Sequence, residues 1–424
     1  MRKIVCILGF FMMLGAKIAY AKLVTYEFDI NTKPVNITGK DVTALAINNQ
    51  IPGPTIEATY GDTLQVTFNN KMDTEASVHW HGILLPNNQD GVPYLTTQPI
   101  APHASLTYRY NIAQHGTYWY HSHTGLQKQR GIYGALVFHP KKVERIGSDK
   151  DYIAVFSDWT NENPNQVLAN IKKDGDYYAL KKDSVQSWEA VIRNGSEAIR
   201  NRLQGSWSRM GTMDLSDVGY DAFLTNGKRE QSLAAHKGDR VRARLINASA
   251  STYLNVEYAG GPMTIVAADG VDVEPIQVQR LRIAAAETYD VIVHIPSNKA
   301  YELRATARDG TGYTSTFIGN GTKVFSPDIP KPNVFLMHNL PNHNDGSQNK
   351  PVGTPPMTMG KAISQDTLHN TKSSRQKNTG NVVAYMANYD NLRAIKDTSF
   401  DKHKARREVV LNLTGNMTQY NLEF

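Results

Sequence analysis

From Lys22 to Pro140 apolar and polar residues alternate with a period of two, as in Val24-Thr25-Tyr26-Glu27-Phe28 and Thr63-Leu64-Gln65-Val66-Thr67-Phe68. Successive side chains of a β-strand point to opposite faces, so this pattern belongs to strands with one face on a core. Leu106 to Tyr110, Thr117 to His123 and Ala135 to His139 continue it, and Pro52-Gly53-Pro54 and Asn69-Asn70 punctuate it as turns. No window here holds a sustained helical period, which points to a Greek-key β-sandwich.

A second strand-rich block runs from Asp151 to Ser326, with strands expected at Tyr152 to Ser157, Arg240 to Asn247, Met263 to Ala268, Tyr289 to Ile295 and Tyr301 to Thr306. Between Leu180 and Met213 the pattern turns helical, and Trp188, Val191 and Ile192 are spaced for one buried face. From Pro330 to Lys402 the chain is polar and rich in Pro, Gly, Asn and Ser, which reads as a linker. Arg407 to Thr414 alternates again. The 424 residues are long enough for two or three domains. The fold expected is all-β: tandem Greek-key sandwiches over 22–145 and 146–328, a helical excursion in the second, a linker over 329–402, and over 403–424 the first strand of a third domain that is not completed.

Residues 1–21 have the form of a secretory signal, with Arg2 and Lys3, an apolar stretch from Ile4 to Ala16, and Ala19-Tyr20-Ala21 as a small-x-small cleavage site. An N-terminal membrane anchor is the alternative, and the apolar run is short for one. No second apolar run could span a bilayer. The chain's one cysteine, Cys6, lies in this segment, so cleavage after Ala21 leaves no thiol, no disulfide and no cysteine metal ligand. An exported chain without disulfides suits a bacterial periplasm. The net charge of +7 comes from dispersed basic residues rather than from a nucleic-acid footprint.

Within the first block stand two His-x-His pairs, His79-Trp80-His81 and His121-Ser122-His123. Residues two apart on a strand share a face at a separation of roughly 7 Å, so two such strands side by side present four imidazoles to one space. Imidazole suits copper, zinc, iron or nickel, so the donor set does not choose the metal. The plainer reading of any single pair is two surface or hydrogen-bonded histidines; two pairs, with Trp80 free to face the core, favour a metal.

His79-Trp80-His81-Gly82, Asp90-Gly91 with Thr97-Gln98-Pro99-Ile100, and Gly116-Thr117-Tyr118-Trp119-Tyr120-His121-Ser122-His123 resemble, in order and spacing, the first domain of the multicopper oxidases. Ser157-Asp158-Trp159-Thr160, Ala267-Ala268-Asp269-Gly270, Ala286-Glu287-Thr288-Tyr289-Asp290 and Leu413-Thr414-Gly415-Asn416-Met417 are similar to the bacterial copper-resistance protein A branch. The resemblance implies cupredoxin-like domains, copper as cofactor, and oxidation of Cu(I) or another reductant with O2 reduced to water. It implies that His79 is a type 2 copper ligand, that His81 and His121 hold one type 3 copper, and that His123 belongs to the other. It also implies that Asp90 assists proton delivery at the copper cluster; a turn-capping aspartate before Gly91 is the alternative.

The sequence departs from the family where the remaining ligands are expected: there is no third-domain His-rich segment and no His-Cys-His motif. A type 1 centre needs a cysteine thiolate. His338, His343, His369 and His403 fall in no pattern that replaces them, His103, His115 and His139 read as structural, and Met357 and Met359 are a thin remnant of a Met-rich copper segment. Several readings follow. One is an exported copper oxidase whose C-terminal part is lost or supplied in trans by a separately encoded domain. A second is a non-catalytic periplasmic protein that sequesters copper, and a third is the inactive product of an interrupted gene. A zinc hydrolase would want a third ligand and a general base that the sequence does not offer.

Overall fold

The computed structural model describes residues 21–173, 177–182, 187–208, 218–330, 384–386, 391–397, 410, 414–416 and 421–423. The expected signal segment up to Tyr20, Met357 and Met359, and His338, His343, His369 and His403 lie outside them.

Eight strands build the first sandwich: β1 (Leu23–Asn36), β2 (Asp41–Ile47), β3 (Gly53–Thr59), β4 (Thr63–Asn70), β5 (His79–His81), β6 (Ser105–Asn111), β7 (Gly116–His121) and β8 (Tyr133–His139). They form two four-stranded sheets, ordered β2-β1-β4-β6 and β3-β8-β7-β5. Alternation places Phe28, Leu64, Val66, Phe68 and Tyr108 of one sheet and Ile56, Trp80, Tyr118, Tyr120, Leu136 and Phe138 of the other in a single core. Trp80 is fully buried, its ring 5.3 Å from Tyr108 and 5.4 Å from Tyr110 in edge-on contacts.

The inner sheet is covered on both faces. The odd-numbered residues Trp119, Tyr133 and Ala135 point away from the first core and pack against Val155, Ile246 and Ala248 of the second unit. This explains why β8 is buried at every position from Tyr133 to Phe138 rather than alternating.

The second unit is one large sheet. It contains β9 (Lys150–Trp159), β10 (Ala222–Thr225), β11 (Glu230–Leu233), β12 (Arg240–Asn247), β13 (Leu254–Tyr258), β14 (Met263–Ala268), β15 (Val271–Ile283), β16 (Thr288–His294), β17 (Ala300–Ala307), β18 (Tyr313–Gly319) and β19 (Lys323–Val324). Its order is β10-β9-β12-β16-β14-β15-β13-β17-β18-β11, with β19 beside β17. Leu245, Val256, Ile265, Leu281, Val291 and Leu303 fill its core.

Helices are few: α1 (Gln127–Arg130), α2 (Pro164–Lys173), α3 (Trp188–Arg193) and α4 (Ser196–Ser208). The helical excursion of the second unit is present, but its expected buried face is not. Val191 is buried, whereas Trp188 is 48% and Ile192 65% exposed. α3 has only six residues and lies outside the sheet, and Trp188 stacks instead under the Arg202 guanidinium at 5.6 Å. α2, which the sequence reading did not anticipate, buries Val167 and Ile171 against Tyr178.

Within the segment read as a linker, β20 (Ala384–Met386) adds to β15 in parallel, with Val278 opposite Ala384. Ala394 bridges Val273. Near the end of the chain β21 (Thr414–Asn416) pairs with β22 (Asn421–Glu423). Among the described residues no helix is long and apolar enough to cross a membrane.

Candidate metal centre

The histidine face follows from register. β5 and β7 pair antiparallel with His79 opposite His121, Trp80 opposite Tyr120 and His81 opposite Trp119. Trp80 and Tyr120 enter the core, so His79, His81, Trp119 and His121 share the opposite face. The ligating nitrogens of His79, His81 and His121 lie within 4.8 Å of one another. His81 Nδ1 is 3.3 Å from His121 Nε2. That is a separation that two nitrogens each about 2 Å from one ion would have.

His123 departs from the simple strand picture. β7 ends at His121, and both His121 and Ser122 are buried, so the period of two breaks there. The His123 ring nonetheless lies beside the cluster, 4.8 Å from His79 and 4.9 Å from His121. It is exposed, and its nitrogens are not among the three that converge. Its backbone N–H donates to Ser77 Oγ, and the Ser122 hydroxyl donates to Gln127, which hold this turn in place.

The loop after β5 orients His79. Its Nδ1 is 2.8 Å from the Asp90 carbonyl oxygen. A carbonyl only accepts, so the proton sits on Nδ1 and Nε2 is left as a lone pair facing the cluster. His121 is fixed the same way, with Nδ1 donating to the Ser122 carbonyl at 3.0 Å. Gly91 makes the first contact possible. It has φ of +83°, and a Cβ there would lie 1.7 Å from the Val78 carbonyl oxygen, so only glycine lets the loop lie against β5. The Asp90 carboxylate is 3.5 Å from the same His79 nitrogen and about as far from the Thr96 hydroxyl. In this structure it is thus the backbone of Asp90 that bonds the imidazole, with the carboxylate alongside.

Burial disfavours the charged form of His81 and His121. It pushes the His81 pKa down to about 4, helped by His79 and Lys128. Burial also pushes His121 down to about 2, against the opposing hydrogen bond to Ser122 and with Lys128 adding to it. His123 is lowered too, by burial and then by His79. Unprotonated imidazole is the form that ligates a metal, so the donor set, its tautomers and its spacing fit copper.

Sequence reasoning missed two neighbours. Trp119 stacks on His121 at 4.1 Å and 25° and lies 5.1 Å from His81. Lys128 places its ammonium 5.3 Å from the centroid of the Trp119 ring. The Trp was visible only as a core residue of the second pair's strand, and nothing in the spacing of Lys128 signals its position. His103 and His139 instead make surface pairs with Asp73 and Glu57.

The remaining motifs are structural. Asp158 accepts from the backbone N–H groups of Ala250, Ser251 and Thr252 and from the Thr252 hydroxyl, fixing the loop after β12. Asp290 is buried between the units. It accepts from Thr117 of β7 at 2.6 Å and from Arg242 and Arg244 of β12 at 2.8 and 3.0 Å. A separate hollow of about 470 Å³ beside Phe223, Glu302 and Tyr313 contains none of the histidines, and its Glu302 is already taken up by Arg304, Ser315 and Ser326.

Residues 29–143 and residues 150–323 each match a family model described as multicopper oxidase. The chain belongs to the multicopper oxidase family, whose cofactor is copper. It is 41% identical over 295 residues to Copper resistance protein A of Escherichia coli, covering 68% of this chain and 49% of that protein. It is 39% identical to Copper resistance protein A of Pseudomonas syringae pv. tomato, covering 68% and 48%. The chain thus spans about half the length of these relatives. The solved structures show the same cupredoxin-like fold. The multicopper oxidase Fet3p superposes with a TM-score of 0.57 at 19% identity, over 77% of this chain and 56% of that one. A blue copper oxidase from Nitrosomonas europaea gives 0.54 at 24% identity, over 70% and 86%.

Proposed function

We propose that this chain is an exported, periplasmic copper-resistance protein in which His79, His81, His121 and His123 supply the first-domain half of a trinuclear copper cluster. His79 serves the type 2 position, His81 and His121 one type 3 copper, and His123 the other. The observation that carries the reading is the 3.3 Å approach of His81 Nδ1 to His121 Nε2, between imidazoles that burial keeps neutral. Copper, when bound, supplies the one-electron chemistry by which the family couples oxidation of Cu(I) or another reductant to reduction of O2. The chain's own residues bind and orient: the Asp90 and Ser122 carbonyls hold His79 and His121 in the ligating tautomer, and Trp119 covers the cluster from the protein side. The Asp90 carboxylate is placed to exchange a proton with water at the site.

Residues 22–424 contain no cysteine, so a thiolate type 1 centre and the remaining cluster ligands come from a further domain, in the same polypeptide or a separate one. Without it the chain binds copper and does not turn over. Sequestration of copper is the second reading, and the three nitrogens already gathered within 4.8 Å favour it. Oxygen uptake by the copper-loaded chain with Cu(I) as reductant tests whether turnover needs a further domain. No uptake above the buffer rate is expected of the chain by itself. Oxidase-like turnover, or an intense blue absorption, would contradict the proposal.

A further inference from the structure

Among the described residues Lys128 is a cation beside the cluster whose charge opposes a bound metal ion, and the mechanism above does not use it. α1 sends it under the sheet, where it is largely buried. Its ammonium donates to the Ser249 carbonyl at 3.1 Å and lies 5.3 Å from the Trp119 ring centroid. A carbonyl oxygen and an indole face are the partners of a protonated amine. Trp119 in turn stacks on His121 at 4.1 Å and sits 5.1 Å from His81, so the ammonium lies within about 10 Å of both imidazoles.

The carboxylate that faces Lys128, Asp158, accepts from the N–H groups of residues 250–252 and offsets part of the field of the ammonium at the imidazoles. A fixed positive charge within about 10 Å of the ligand rings opposes a metal cation held by them, and a divalent one about twice as strongly as a monovalent one.

We infer that Lys128 is a positioning charge that biases the copper site toward Cu(I) over Cu(II), acting through the Trp119 stack. The inference rests on the copper reading of the histidine cluster. In it Lys128 touches no copper and no substrate; it sets the relative affinity of the two oxidation states.

The test is the pair of dissociation constants of the purified chain for Cu(I) and Cu(II), measured by competition with chromophoric chelators, in the parent, Lys128→Met and Lys128→Arg. Met keeps the aliphatic stem and removes the charge; Arg keeps the charge. Lys128→Met is expected to shift the ratio of the two constants toward Cu(II) by roughly tenfold, which is about 59 mV in the one-electron couple. Lys128→Arg is expected to hold the parent ratio. A role confined to packing would weaken both ions alike in Lys128→Met and leave the ratio unchanged, and that result overturns the inference while leaving the copper site intact. Failure of the parent to bind either ion would instead overturn the reading of the cluster, and this inference with it.

Discussion

Two polar centres are buried on the same strand and are built on opposite principles. At one end of β7 Thr117 joins Asp290, Arg242 and Arg244 in a network where every charge meets another. Burial works against the Arg244 charge, but Asp290, Asp151 and Glu144 more than offset it and hold the guanidinium above the ordinary arginine value. At the other end His121 faces His81 and His79, and there burial outweighs the nearby acids and drives His81 and His121 neutral. The ion network holds two units together. The imidazole cluster gathers ring nitrogens within 4.8 Å of one another, which is what a metal site requires.

The largest effect of a single substitution that sharpens this contrast is expected at the ion network. Asp290→Ala removes the carboxylate that the two buried guanidiniums share and should lower the unfolding free energy by roughly 3–5 kcal/mol in chemical denaturation. A loss below about 1 kcal/mol would mean that water reaches the network.

The histidine end should lose stability in acid although it contains no ion pair of its own. His81 and His121 have folded pKa values near 4 and 2, below the unfolded value of 6.5. The unfolded chain therefore takes up protons first, and the metal-free protein is fully stable above pH 6.5 and loses stability as pH falls toward 4. With two imidazoles each losing about 1.4 kcal/mol per pH unit, the loss amounts to roughly 5 kcal/mol by pH 4.5, and His81→Ala/His121→Ala should flatten the dependence. An unchanged slope would place the acid sensitivity elsewhere.

Gly91→Ala tests the orienting loop. Its Cβ would collide with the Val78 carbonyl, displacing the Asp90 carbonyl from His79. Copper affinity is expected to fall about 10- to 100-fold, the usual cost of losing an outer partner of a ligating histidine, as read by chelator competition. Trp119→Phe is the mildest change and should cost about 1 kcal/mol of stability from the weakened stack.

How much of this was legible in the sequence divides along the same line. The period of two gave the strands and put Trp80 into the core, because alternation is a local property of each strand. The His-x-His pairs gave the ligand candidates for the same reason. What the sequence did not show depends on contacts across units: the burial of both faces of β8, the meeting of Thr117 with Asp290 across 173 positions, and the place of Lys128 behind Trp119. Asp158 and Asp290 looked like family signatures without a role, and only tertiary packing shows them to be structural acids. The helical face over Trp188 and Ile192 failed because spacing cannot say whether a short helix has anything to pack against.

The central claim is that the imidazoles of β5 and β7 form the copper site. It is tested most directly by copper stoichiometry and EPR of the purified chain beside the variant with His79, His81, His121 and His123 all changed to Ala. Nitrogen-coordinated copper without an intense blue band in the parent, and its loss in the variant, is the predicted result. Equal copper with the same spectrum in both would contradict the account.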